Sequence, residues 1–235
     1  MNARYGRQIP IVGAEGMERL RGTTVGVVGC GGLGTTLATS LAAAGIGGLV
    51  LIDGDRPEIT DLNRQFAYRE GTTSSKAHEL SRWLSSVNPQ VAVEAHAEHL
   101  DAGNTGLLSG CDILADCLDN MRSRKLLNRF AVDSGKPLVH AGVSHLHGQV
   151  TVVIPGRTPC LECLFGDTDD EDASISAAVM LIASVEAMEV LKLAAGTGEP
   201  LAGRILTVDL GGNAFDVTEV RRDPSCAVCG HLRDR

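Results

Sequence analysis

Gly29, Gly31 and Gly34 stand in a G-x-G-x-x-G spacing between a β-branched run at 23–28 and a helical stretch at 35–44. Few patterns constrain a fold as tightly. Glycine permits the sharp turn and a close backbone approach to a ligand, and a helix starting there offers its free N-terminal amides to a phosphate. Residues 49–53 read as a second strand ending on Asp53, 19 positions beyond Gly34, where a carboxylate can meet a ribose hydroxyl. The segment is a strand–loop–helix–strand unit of the length a right-handed crossover needs. Together with Gly32 the loop signals a nucleotide without saying which one. The loop and Asp53 alone suit a nicotinamide-dependent oxidoreductase as well as any other nucleotide enzyme.

The remaining periodicity extends that unit. Helices at 76–87 and 122–134 alternate with strands at 91–95, 113–116 and 137–140. From 149 the pattern changes: 149–154 reads as an antiparallel strand, 177–194 as an apolar helix, and 205–210 with 214–220 as a hairpin pivoting on Gly211-Gly212. The predicted fold class is α/β: a Rossmann-like, doubly wound, mostly parallel sheet continued by antiparallel strands. One domain over 1–235 is expected, with an N-terminal helical arm at 1–22, a nucleotide-binding half at 23–148 and a C-terminal half at 149–235. The stretch 56–75 is polar and irregular, as in an active-site loop. The stretch 166–174, with five acids and no bulky apolar residue, predicts a mobile loop.

Four of the seven cysteines form two Cys-x-x-Cys pairs, Cys160/Cys163 and Cys226/Cys229. Two such turns complete a tetrahedral Zn²⁺ shell with no open position for chemistry, so the reading is a structural zinc clip joining distant parts of the fold. Redox pairs or buried apolar thiols are the alternatives. Cys30 and Cys117 read as packing residues, and Cys111, ahead of a strand, is uninformative. The net charge of −8 argues against a nucleic-acid or anionic-membrane surface. No stretch has the pattern of a signal peptide or the length of a membrane span, and an odd cysteine count fits a reducing compartment, so a cytoplasmic protein is expected.

Arg64 with Gln65, and then Lys76, supply cations and an amide after the second strand, and Asp119-Asn120 follow the strand ending at Asp116. A triphosphate needs such cations around its β- and γ-oxygens and a carboxylate for Mg²⁺. His140, His145 and His147 cluster near one strand end and read as structural. The stripe Val179, Ile182, Val185, Met188 and Leu191 reads as helix core or a dimer interface.

At this point the chain resembles the ThiF/MoeB/HesA family, relatives of the ubiquitin-activating enzymes. The matching segments begin with Arg4-Tyr5-Gly6-Arg7-Gln8, the loop 29–34, Asp53-Gly54-Asp55, Leu62-Asn63-Arg64-Gln65 and Lys76. They continue with Asp116-Cys117-Leu118-Asp119-Asn120, Gly148-Gln149-Val150-Thr151-Val152, residues 159–165, Glu189-Val190-Leu191-Lys192 and residues 222–230. The resemblance implies adenylation of the C-terminal carboxylate of a ubiquitin-fold sulfur carrier protein ending in Gly-Gly, followed by conversion to a thiocarboxylate. It implies ATP contacts from Asp53, Arg64 and Lys76, with Asp55, Gln65 and Asn120 beside them, and magnesium on Asp119. Arg7 corresponds to an arginine reaching into the partner subunit's site, which implies a homodimer. Only six residues follow Cys229, so a separate sulfur donor is expected.

Three departures from the family pattern stand out. Asp61 occupies a position where the family usually has Asn, and an extra carboxylate near phosphates repels them unless it meets Mg²⁺ or a sugar hydroxyl. No cysteine lies between Gly166 and Met180. The usual Gly- and Pro-containing stretch is replaced by Ser174-Ile175-Ser176-Ala177-Ala178-Val179. The last two keep open a second acyl substrate, the C-terminus of a ribosomal peptide in natural-product maturation.

Overall fold

The computed structural model describes residues 3–166 and 173–232, so most of the predicted acidic loop, 167–172, lies outside the described residues. A 3₁₀ turn, Ala3–Tyr5, leads into α1 (Ile9–Gly22). The alternating part follows as β1 (Thr24–Val28), α2 (Gly32–Ala44), β2 (Gly48–Ile52), α3 (Lys76–Val87), β3 (Ala92–His96), β4 (Ile113–Asp116) and α4 (Met121–Ser134). Then come β5 (Leu138–Ser144), β6 (His147–Val153), the one-turn α5 (Leu161–Leu164), α6 (Ser176–Ala195), β7 (Arg204–Asp209) and β8 (Ala214–Glu219).

All eight strands join one sheet in the order β3-β2-β1-β4-β5-β6-β7-β8. The five from β3 to β5 are parallel and the last three pairings antiparallel, so the predicted fold class holds. β2 is buried throughout and β1 from Val25 onward, as unbroken apolar runs must be when helices cover both faces. α1, α2, α3 and α6 share one core with the sheet. Leu127, Ala131 and Val132 of α4 and Leu161 of α5 pack with Val28, Ile52 and Leu114 in the other. From β1 the chain turns one way to β2 and β3, then crosses to β4 on the opposite side. That reversal opens a crevice at the carboxyl ends of the strands. The register Val28↔Ile52 and Val28↔Asp116 brings Gly29, Asp53 and Cys117 to that one edge.

Two local differences from the sequence expectation have clear causes. The N-terminal arm is not one helix: Gly13, at φ +73°, ψ 172°, breaks α1. β5 runs four residues past its predicted end at 140, because 141–144 pairs antiparallel with β6. Ala-Gly-Val-Ser has too little β-branching to announce a strand without that partner. The β7–β8 hairpin turns at Gly211-Gly212 as expected, with Asp209 Oδ1 accepting from both glycine amides at 2.9 and 3.1 Å.

Candidate active site

The carboxyl ends of β1, β2 and β4 open into a cleft of about 1100 Å³. Its floor is the glycine loop. Gly29 leaves β1 at φ +94°, and a Cβ there would lie 2.5 Å from the Cys117 carbonyl oxygen. A Cβ on Gly34 would lie 2.0 Å from the Gly29 oxygen, so the turn closes only with glycine at both places. Gly31 is the N-cap of α2, and the nearest atom to a Cβ built on it is Gln65 Nε2 at 3.7 Å. No other atom comes within 4 Å of that position, so there is room beside the N-terminus of α2. Asp53 braces the loop: Oδ2 accepts from Cys30 N at 2.7 Å and Oδ1 from Asp55 N at 2.8 Å. Burial raises the pKa of Asp53, against the lowering effect of those two amides and of Lys76.

Lys76 is the first residue of α3, behind the N-cap Ser75, and its ammonium lies 3.1 Å from Asp61 Oδ2 and 3.9 Å from Asp55 Oδ2. Asp61 closes the 3₁₀ turn Ile59–Asp61 and is buried. Its Oδ2 also accepts from Glu58 N at 2.9 Å, and its Oδ1 accepts from Gln65 Nε2 at 2.8 Å. Arg64 Nη2 stands 4.0 Å from Oδ1, while Nη1 of the same guanidinium donates to Thr60 O at 3.0 Å. Gln65 is buried, faces the cleft and keeps its Oε1 without a partner among the described residues. The Tyr68 hydroxyl, 2.5 Å from Cys30 O and 3.3 Å from Lys76 O, ties the loop to the start of α3.

Asp119 is exposed to the cleft just ahead of α4. Asn120, also in the lining, caps α4 by accepting from Ser123 N at 2.9 Å and donates to Asp119 Oδ1 at 3.2 Å. Thus Gly29, Gly31, Gly32, Asp53, Asp55, Arg64, Gln65, Lys76, Asp119 and Asn120 all line one cavity, with Gly34 bracing the loop beneath. Arg7 does not. It is exposed and lies outside the cleft of its own chain, on an arm anchored by Gln8 Nε2 donating to Ala44 O and Asn88 Nδ2 donating to the Tyr5 hydroxyl.

Sequence reasoning missed a buried polar layer under the floor. Asp116, fully buried, accepts from His140 Nδ1 at 2.7 Å and lies 3.8 Å from Arg124 Nε. Burial lowers the pKa of His140 despite Asp116, so the ring is a neutral structural group, as read. Arg124 lines the cleft, with Nε and Nη2 donating to Leu118 O and Nη2 to Ala141 O. Glu186 of α6 is fully buried, its two oxygens each 3.6 Å from Cys117 Sγ, and burial holds its carboxyl well above the usual range. Burial likewise pushes the Cys30 and Cys117 thiols well up, which suits packing residues and not nucleophiles.

The four cysteines of the two Cys-x-x-Cys pairs meet beside α4, in the core that α4 and α5 share with the sheet. Cys160 and Cys163 sit at α5, Cys226 and Cys229 in the C-terminal turn, and their ligand atoms all lie within 4.8 Å of one another. Sulfur–sulfur distances are 3.9 Å for Cys160–Cys163, 3.7 Å for Cys160–Cys226 and 3.4 Å for Cys163–Cys229. A tetrahedral zinc with bonds of about 2.3 Å spaces its sulfurs by about 3.8 Å, so the cluster can hold a metal. At Cys226 burial raises the pKa, but amide hydrogen bonds from Cys229 and Val228 outweigh it and bring the thiol to about 7.

Residues 5–228 match the ThiF family. The chain is 36% identical over 235 residues to the vegetative protein HesA of Trichormus variabilis, covering 97% of this chain and 89% of that protein. It is 38% identical over 244 residues to the sulfur carrier protein adenylyltransferase of Thermus thermophilus, covering 97% and 90%. Among solved structures, that of Escherichia coli MccB with ATP superposes with a TM-score of 0.84 at 25% identity, covering 98% of this chain and 75% of that one. Among the described residues no helix is long and apolar enough to cross a membrane. A match over nearly the whole length, with the glycine loop and both cysteine pairs in place, means that the chain belongs to the ThiF family of adenylyltransferases.

Proposed function

We propose that this enzyme uses Mg·ATP to adenylate the C-terminal glycine carboxylate of a small ubiquitin-fold sulfur carrier, which a separate sulfur donor then converts to a thiocarboxylate. The observation that carries the reading is the convergence of an open helix N-terminus, Lys76, Arg64 and the exposed Asp119 in one cleft. The nearly full-length likeness to a sulfur carrier protein adenylyltransferase supports the choice of acyl substrate. We read 1–22 as the arm that carries Arg7 to a homodimer partner, 23–148 as the nucleotide-binding half and 149–235 as the half bearing the zinc clip, in a cytoplasmic protein.

The residues fit the nucleotide. Gln65 holds a buried oxygen without a partner on the cleft wall, ready for a hydroxyl or amino donor, and a side chain at Gly31 would fill the space before the α2 amides. Asp119, with Asn120 beside it, would hold magnesium, which supplies charge neutralisation at the phosphates. The carrier's carboxylate attacks the α-phosphorus in line and pyrophosphate leaves, a transfer that needs positioning and positive charge more than covalent help. The α2 amides, Lys76 and Arg64 receive the charge that builds on the phosphate oxygens. Asp53 fixes the loop, lines the cleft and would meet the ribose. Mass spectrometry of candidate carriers incubated with the enzyme and ATP tests the assignment. An AMP adduct on a Gly-Gly-tailed carrier is expected, and an adduct only on a short peptide would move the substrate to the peptide class.

A further inference from the structure

We propose that Asp61 is an internal stand-in for the nucleotide's phosphates. In the empty enzyme it neutralises Lys76, and binding of a triphosphate takes place in competition with it. The inference rests on the ATP reading above and deepens it by assigning a residue that limits affinity.

Apart from closing its own 3₁₀ turn through Glu58 N, Asp61 is turned to Gln65 and the cations of the cleft. An ionised carboxylate has about four lone-pair positions. Three are filled by hydrogen bonds, from Glu58 N, Lys76 Nζ and Gln65 Nε2, and the Arg64 guanidinium faces the same oxygen as Gln65. Both positions on Oδ2 are taken, and the one left on Oδ1 faces the Arg64 guanidinium at 4.0 Å, which competes with a metal or a sugar hydroxyl, the two ways in which an added carboxylate escapes repelling phosphates. The side chain is only 10% exposed, as is that of Lys76, so the pair is poorly screened by solvent. An asparagine, usual in the family this chain resembles, offers one acceptor oxygen and no charge and would leave Lys76 only the more distant and more exposed Asp55, at 3.9 Å, as an anionic partner.

The surroundings point the same way. Five carboxylates line the cleft: Asp53, Asp55, Glu58, Asp61 and Asp119. The lysine and arginine lining is smaller, comprising Arg56, Arg64, Lys76 and Arg124. A cleft built only to attract a polyanion would reverse that balance. With Asp61 in place the buried ammonium is paired before ligand arrives, which avoids the cost of an isolated buried charge. The consequence is weaker phosphate binding and easier release of pyrophosphate. Asp61 is therefore a positioning residue that touches the phosphate-binding cations and not the reacting atoms.

The test is calorimetric titration of the full chain, wild type against Asp61→Asn and Asp61→Ser, with three probes: Mg·ATP, Mg·tripolyphosphate and adenosine. Removing a like charge a few ångströms from the phosphates should tighten ATP and tripolyphosphate about fivefold or more and leave adenosine unchanged. Without ligand both variants should melt lower than wild type, and saturating ATP should return more stability to them than to wild type. Unchanged or weaker tripolyphosphate binding in both variants overturns the proposal, as does an equal shift for adenosine, which marks simple structural damage. Variants that melt low and gain no more from ATP than wild type also overturn it. Wild type binding neither ATP nor tripolyphosphate would instead sink the ATP reading itself.

Discussion

Glu186→Gln probes the buried layer beneath the cleft with a defined sign and size. Glu186 is fully buried in α6, and its recorded hydrogen-bond partner is the Cys117 thiol, itself protonated. Burial first, then the Asp116 charge, hold its pKa well above the ordinary value. The folded protein thus keeps a proton that the unfolded chain releases once the pH passes about 4.3. A folded pKa raised in this way gives stability that is complete below the unfolded value and is lost as pH rises toward the folded one. While the buried group stays protonated, each pH unit removes about 1.4 kcal/mol. Gln has the same size and no proton to release, so the variant's stability relative to wild type should improve by that amount per unit. For a domain of this size the gap in Tm should widen by roughly 3–6 °C per pH unit. His140 has the opposite slope, because its lowered pKa makes stability fall as pH falls, but it is present in both proteins and cancels in the difference. Scanning calorimetry of both proteins from about pH 5.5 to about pH 7.5 is the assay. Parallel Tm curves would refute the claim that Glu186 is folded in its neutral form.

Other outcomes follow from the same structure. Gly34→Ala places a methyl carbon 2.0 Å from the Gly29 oxygen, backbone that has nowhere to yield, so it should cost about 1–3 kcal/mol by denaturant melts and abolish ATP binding. Asp119→Ala removes an exposed side chain and should change stability by no more than about 0.5 kcal/mol. Carrier adenylation in that variant should fall roughly a hundredfold or more, and retained turnover would take magnesium away from Asp119. Elemental analysis should find one zinc per chain, and Cys226→Ser or a strong chelator should lower the Tm. A metal-free protein with wild-type Tm would dismiss the structural clip.

What the sequence disclosed and what it hid divide along a physical line. The glycine loop, Asp53 and the two cysteine pairs were legible because backbone conformation and metal ligation demand particular residues at fixed spacing. The Glu189-Val190-Leu191-Lys192 segment was recognised, but its work emerged only in three dimensions: Glu189 Oε2 accepts from Leu201 N at 2.7 Å and pins α6 to the chain before β7. Asp61 was visible as an anomaly, and its significance depended on a turn that points it at Lys76, fifteen positions on. The Glu186–Cys117 contact joins residues 69 apart across a helix and a strand, and no local pattern announces it. Arg124 had one available signal, its place in the second turn of a helix whose cap follows Asp119. The 141–144 extension of β5 was hidden because its partner strand creates it.

The central claim is tested most directly by exchange of labelled pyrophosphate into ATP, run with and without a Gly-Gly-tailed ubiquitin-fold carrier. Exchange that requires Mg²⁺, depends on the carrier and vanishes when the terminal glycine carboxylate is amidated is the predicted result. ATP binding without exchange for any such carrier would contradict it.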